Sequence, residues 1–227
     1  MSPINLSIDC VVLGFDQDQK LKVLLIRKFI NKKNDYQFAL PGDLVGSNED
    51  LLSGGKRILK SLTSLEDIYL KQFYTFGSPD RTKQSKDQSW LNMHREKPKE
   101  RVITVAYIAL VKMEDYTPQP SSFAVDAQWI ELSKVSSDLA FDHNEILNRG
   151  IKYLRKQLDH QLISNLLPSK FTLSQLQKLY EILLDEKVDK RNFRKNVSKD
   201  HLIVKTDEKQ QGVAHKPAHL YTYKSSI

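Results

Sequence analysis

Short apolar runs separated by polar turns fill the first 130 residues, and helical spacing takes over after that. Ile8–Phe15 and Leu21–Arg27 read as two strands around the turn Asp16-Gln17-Asp18-Gln19, and Gln37–Leu40 as a third, stopped by Pro41-Gly42. Glu49–Leu62 carries Leu51, Leu52, Ile58, Leu59 and Leu62 at helical spacing. Gly54 and Gly55 weaken that helix by about 1 kcal/mol each relative to alanine. Tyr69–Phe76, Val102–Val111 and Asp126–Leu132 complete the strand-rich set. Between them, 31–35 is a polar loop and 77–100 a long basic one, which nevertheless holds Trp90 and Met93. A loop of that length in a compact domain is usually functional or disordered. This mixed order predicts an α/β or α+β sandwich rather than a regular βαβ repeat.

From Phe141-Asp142-His143 onward the period is helical. Asp142 is a good N-cap, and Leu147, Ile151, Leu154, Leu158 and Leu162 form one continuous stripe. The stripe reads as a core or connector helix, part of which could also form a dimer seam. Pro168-Ser169 ends it. Thr172 with Gln175 three residues later has capping-box spacing, and Leu173, Leu176, Leu179, Tyr180 and Leu183 supply the buried face of the next helix. After a short turn, Asp189 caps KRNFRKNVSK. Phe193 and Val197 anchor that helix inwards and leave its cations outside. Leu202–Thr206 and Leu220–Tyr223 read as strands joined by a polar hairpin. Helix, turn, basic helix and hairpin together predict a winged helix-turn-helix.

Composition narrows the classes. Hydrophobic content is 40% and no stretch approaches the ~20 apolar residues of a membrane span. MSPINLSID has no secretory-signal pattern, so a cytoplasmic protein with no membrane association is expected. The single Cys10 sits in an apolar strand run and reads as a buried, inert thiol. His94, His143 and His201 have no metal-ligand spacing and read as polar or capping residues. No metal or cofactor is expected. The net charge of +7 is unevenly placed: residues 1–150 are neutral, whereas residues 151–227 hold 15 Lys and Arg against 8 Asp and Glu. A neutral front and a basic back suggest a partner that is a polyanion, double-stranded DNA above all.

Residues 43–65, DLVGSNEDLLSGGKRILKSLTSL, follow the spacing of the Nudix box, G-x5-E-x7-R-E-U-x-E-E-x-G-U, with U apolar. Glu49 and Arg57 keep their places. The three chemical Glu positions read Ile58, Ser61 and Leu62, and the two glycines read Asp43 and Ser64. Mg²⁺ needs clustered oxygen ligands, so the frame persists without the metal site. Glu49 and Arg57 then read as an ion pair that holds the loop–helix turn.

Together the two halves resemble the Nudix-related transcriptional regulators of NrtR/AraR type. The resemblance rests on LPGDLV (40–45), FYTFGSPDR (73–81), RVITVAY (101–107), FDHNEIL (141–147), LPSKFTLSQLQKLYEILLDEKVDKRNFRK (167–195) and PAHLYTY (217–223). It implies a Nudix-like α/β/α sandwich at 1–142, a connector helix at 143–167 and a winged helix-turn-helix at 168–227. It also implies a homodimer on a palindromic operator and a non-enzymatic repressor released by a small effector. One branch of the family responds to ADP-ribose and another to pentoses. The match is nearest the L-arabinose regulators of Bacteroidetes, because 82–100 looks longer than in the ADP-ribose branch. On this reading L-arabinose is the expected effector, with Asp43, Arg27, Trp90 and Glu100 as candidate contacts. An acid at position 43 would accept sugar hydroxyls and repel a diphosphate. The expected DNA contacts are Lys170, Thr172, Lys190, Arg191, Asn192, Arg194, Lys195, Lys199, His215 and Lys216. An ADP-ribose-responsive regulator of NAD metabolism and a divergent Nudix diphosphate hydrolase remain open as alternatives.

Overall fold

β1 (Ile4–Phe15) is the spine of the structure, because each of its residues has a parallel partner on β6 (Arg101–Lys112). The computed structural model describes residues 3–15, 20–30, 35–156, 163–164, 166–212 and 216–224. β2 (Leu21–Phe29), β3 (Tyr36–Ala39) and β5 (Lys71–Phe76) extend the sheet in the order β3-β2-β1-β6-β5. β4 (Gly42–Leu44) pairs with β1, and β7 (Asp126–Glu131) with β2.

Period-two alternation in β1 divides the core. Ile8, Cys10 and Val12 face one way and pack with Ile58, Leu59 and Leu62 of α1 (Leu51–Thr63). Val11 and Leu13 face the other way and pack with Ile146, Leu147 and Leu154 of α3 (His143–Lys156). Helices on both faces of the mixed sheet form the α/β/α sandwich that the sequence predicts. α1 begins one residue after Asp50, whose carboxylate accepts from Ser53 N–H, and ends at Ser64 in the left-handed region (φ 59°). Ser64 stands at a glycine position of the box and takes the glycine-like backbone all the same.

Two elements differ from expectation. β4 is three residues long, too short for periodicity to reveal. The basic loop contains α2 (Ser85–His94), in which Asp87, Trp90 and Leu91 are buried. Its apolar residues do not form a stripe, so helical spacing gave no signal. In α3, Leu147 and Leu154 are buried as expected. Leu158 and Leu162 lie outside the described residues.

The C-terminal unit comprises α4 (Leu173–Leu184), α5 (Lys190–Val197) and the hairpin β8 (Ile203–Lys209) with β9 (His219–Tyr223). Phe171 adds a bridge to Tyr221 and is 1% exposed, which closes the wing over the helices. Leu176, Leu179, Leu183, Phe193 and Val197 are buried in one cluster with the sheet face that carries α3. The capping box is complete: Thr172 Oγ1 accepts from Gln175 N–H, and Gln175 Oε1 accepts from Thr172 N–H at 2.8 Å.

Thr172→Ala should therefore lower folding stability by about 1 kcal/mol, read as a reduced midpoint in urea denaturation with an unchanged slope.

Candidate functional site

A pocket opens where β1 parts from β2. The two strands pair only through Leu13–Phe15 with Val23–Leu21. Beyond Leu13, β1 turns its edge to β4 (Ser7–Asp9 against Leu44–Gly42), while Ile26–Phe29 of β2 pair with β3. The β3–Pro41–β4 segment is thus a wedge between diverging strands, and the polar residues at their ends line the gap. Gly42 is required there, since a Cβ at this position would lie 2.0 Å from Asp9 Oδ1. α2 and the segment after it cover the pocket, leaving a cavity of about 60 Å³. That is well below the ~300–1,000 Å³ of ordinary small-molecule sites.

A buried ionic network forms the floor. Arg81 Nη2 donates to Asp9 Oδ2 (3.2 Å) and to Asp142 Oδ1 (2.7 Å), and Arg81 Nε donates to Asp142 Oδ2 (2.9 Å). His143 Nδ1 accepts from Leu40 N–H (2.9 Å), so the ring proton sits on Nε2, 3.3 Å from Asp9 Oδ1. Burial opposes ionisation of Asp9, but His143 and Arg81 outweigh it and hold the carboxyl far below the usual range. Asp142 lies at the start of α3, so one guanidinium ties the pocket floor to that helix. At its far end, Arg155 Nε donates to Leu183 O (3.1 Å) and pairs with Asp185 (3.2 Å), both at the C-terminal end of α4.

The candidate effector residues do not all converge. Asp43, Trp90 and Glu100 line the pocket. Asp43 Oδ1 accepts from Arg95 Nη2 at 2.8 Å, so its charge is compensated and the expected repulsion of a diphosphate does not follow. Glu100 accepts from Asn5 (2.9 Å) and pairs with Lys97 (3.3 Å). Trp90 is buried, stacked on His94 and edge-to-face with Phe141. Arg27 is the correction: it lies over the Tyr36 ring and beside Asp126 (3.6 Å), away from the pocket. Neighbours in a strand point to opposite faces, and the cation that enters is Lys28. Lys28 Nζ sits 3.8 Å from the Phe141 ring centroid and 4.1 Å from that of Trp90. The side chain is 1% exposed and Nζ has no hydrogen-bond partner. The motif FDHNEIL carries the other two missed residues, Asp142 and His143. Arg81 closes FYTFGSPDR; a buried ion pair between such distant segments leaves no mark in local pattern.

The box itself is a structural element. Arg57 Nε and Nη2 donate to both oxygens of Glu49 (2.8 and 2.6 Å), and Nη2 also donates to Leu44 O. Ile58 and Leu62 are buried in the core, and Ser61 donates to Ile58 O. No group of three or more His, Cys, Asp or Glu suited to a metal occurs among the described residues.

The second surface is α5. Phe193 and Val197 are buried, which leaves Lys190, Arg191, Asn192, Arg194 and Lys195 exposed, with Lys199 just beyond. None of these cations holds an ion pair among the described residues. Lys170 is exposed and pairs with Glu208 at the base of the wing, and Lys216 is exposed on it. Thr172 is a correction: it is 3% exposed and committed to its helix cap, so it has no free group for a phosphate. His215 lies outside the described residues.

Lys28 makes stability depend on pH. Burial lowers its pKa to about 7 against an ordinary 10.5; Asp87 and Asp9 oppose the shift, and Arg95 and Lys86 add to it. Between those values the unfolded chain holds a proton that the folded one has released, so stability rises with pH. Lys28→Met removes this group. The stability advantage of the variant over wild type should be largest below pH 7 and shrink towards pH 9, on the order of 1 kcal/mol per pH unit. Urea titrations of both proteins at pH 6, 7, 8 and 9 measure the gap. A gap that stays constant would show that Lys28 titrates normally.

Comparison with known proteins agrees with this arrangement. Residues 163–223 match the NrtR DNA-binding winged helix domain. The ADPR-responsive transcriptional repressor NtrR of Acinetobacter baylyi is 30% identical, over 98% of this chain and 82% of its own length. Shewanella oneidensis NrtR, crystallised with a 27mer DNA, superposes with a TM-score of 0.75 at 26% identity, covering 96% of this chain and 93% of that one. The Nudix domain of the same protein, crystallised with ADP ribose, superposes with a TM-score of 0.53 at 26% identity over 70% of this chain and 91% of that one. With a Nudix-like sandwich and a basic winged helix in one chain, this protein belongs to the NrtR-type family of Nudix-related transcriptional regulators and is a DNA-binding repressor of that type.

Proposed function

We propose that this repressor is released from its operator by a small molecule bearing a ribose or related pentose, bound in the pocket between β1 and β2. The observation that carries the reading is the continuous link from the pocket floor through Arg81 and Asp142 to α3, and from Arg155 to α4. A ligand that binds one arrangement of this link better than another shifts the winged helices between them. ADP-ribose is the first candidate, because the A. baylyi relative is ADPR-responsive and the S. oneidensis Nudix domain was crystallised with ADP ribose. Lys28 lines the pocket as a basic group for a diphosphate, and Asp43 does not repel it once paired with Arg95. The expectation of L-arabinose gains no support from the relatives. One observation still favours a free pentose such as L-arabinose as the second reading: a cavity of about 60 Å³ suits a compact ligand better than an extended one.

The role is binding without hydrolysis. Two of the three chemical box positions are occupied by buried Ile58 and Leu62, which leaves no cluster of carboxylates to place a metal on a diphosphate. On DNA, Lys190, Arg191, Asn192, Arg194 and Lys195 would enter the major groove, with Lys170, Lys199 and Lys216 on flanking phosphates. A homodimer would place two such helices on a palindromic operator.

Two measurements test this. Fluorescence anisotropy on the DNA upstream of the protein's own gene should show binding that ADP-ribose reverses and L-arabinose does not. Release by L-arabinose alone would instead establish the pentose reading, and insensitivity to both would remove the pocket from the switch. Arg194→Ala should weaken operator binding at least tenfold while leaving the thermal midpoint unchanged. Normal affinity across salt concentrations would mean that α5 is not the recognition helix.

A further inference from the structure

We propose that Lys28 is an effector-binding residue of this pocket, donating a hydrogen bond from Nζ to a ligand oxygen. The inference rests on the pocket being the effector site. Among the buried polar atoms without a hydrogen bond, Lys28 Nζ is the one whose side chain lines this pocket. Asp87 and Asp9 attract this amine electrostatically, but neither accepts a hydrogen bond from it. The neighbouring residues of β2 on the same face, Leu24 and Ile26, are buried and apolar, and a third apolar residue would continue the pattern. Instead the strand ends in an ammonium-bearing chain held between the rings of Trp90 and Phe141. Those rings contact the group through their electron-rich faces, which compensates part of its lost hydration but supplies no acceptor. The other pocket cations are spoken for: Arg81 by Asp9 and Asp142, Arg95 by Asp43, Lys97 by Glu100. A donor that is desolvated, unpaired and bounded by aromatic walls is incomplete until an oxygen arrives.

The ligand chemistry that completes it is an acceptor oxygen on a compact polar molecule. A sugar hydroxyl and a phosphate oxygen both qualify; L-arabinose carries the first, and ADP-ribose carries both. α2 supplies Trp90, so one of the walls beside Lys28 belongs to the cover of the pocket.

Isothermal titration calorimetry on the full-length protein, with ADP-ribose and with L-arabinose, tests this in wild type, Lys28→Met and Lys28→Gln. Wild type should bind one of the two ligands, and binding of L-arabinose would identify the oxygen as one borne by a sugar. Lys28→Met should lose at least tenfold in affinity for that ligand while binding operator DNA normally. Its thermal midpoint without ligand should equal or exceed that of wild type, since the variant buries a thioether in place of an unpaired amine. Lys28→Gln keeps a shorter donor and should retain weak binding. If Lys28→Met binds the ligand within twofold of wild type, Lys28 does not read it. A lowered midpoint with unchanged affinity would assign Lys28 to the fold instead. If wild type binds neither ligand by calorimetry, the pocket reading itself falls, and with it this proposal.

Discussion

Arg81 connects everything that the two halves of this molecule do together. A guanidinium at 4% side-chain exposure costs several kcal/mol to desolvate, and only close, well-directed acceptors offset that. Asp9 and Asp142 provide them from two different elements, the central strand and the start of α3. The pairing is therefore a geometric condition on the sheet and the helix at once. If either moved independently, a buried charge would lose its partner. His143 adds a second fastening on the same carboxylate and reaches across to the backbone of Leu40. Rigidity at this point fixes the start of α3 against the central strand.

The back of the molecule obeys a different constraint. Phe193 and Val197 occupy one side of an eight-residue helix, and the capping residues Thr172 and Asp189 use side-chain oxygens to start α4 and α5. With the apolar side buried, the charge distribution follows without further adjustment. The front is neutral in composition, and several of its cations pair within the fold: Arg57 with Glu49, Arg95 with Asp43, Lys97 with Glu100. The exposed cations of α5 hold no such pairs among the described residues, so the outward positive field is concentrated on the winged helix.

This difference explains what could be read from the chain. The winged helix was legible nearly residue by residue, because caps, apolar spacing and exposed cations are local features. The Glu49–Arg57 pair was legible too, since box spacing places both residues near one turn. Arg27 was misplaced because both cations of the Arg27-Lys28 pair suit a pocket, and only the register of β2 against β3 decides which one enters. α2 escaped detection because its buried residues meet Lys28 and Phe141 rather than a neighbouring helix, so no periodic stripe was needed. Thr172 was legible as a cap, and that same bond withdraws it from DNA.

The contact of Gly42 with Asp9 and the pairing of Asp43 with Arg95 also bear on how such a pocket can diverge. Position 42 admits no side chain without dislodging the carboxylate that anchors Arg81, so it is closed to variation. Position 43 has room, but its carboxylate is half of an ion pair; changing it alone strands a cation over the cavity, and changing Arg95 alone strands an anion. New ligand preference at this rim is therefore reached through paired replacement. A lineage exploring it one substitution at a time passes through intermediates with an unpaired charge over the cavity, and duplicated copies freed from regulatory duty are the natural setting for that passage.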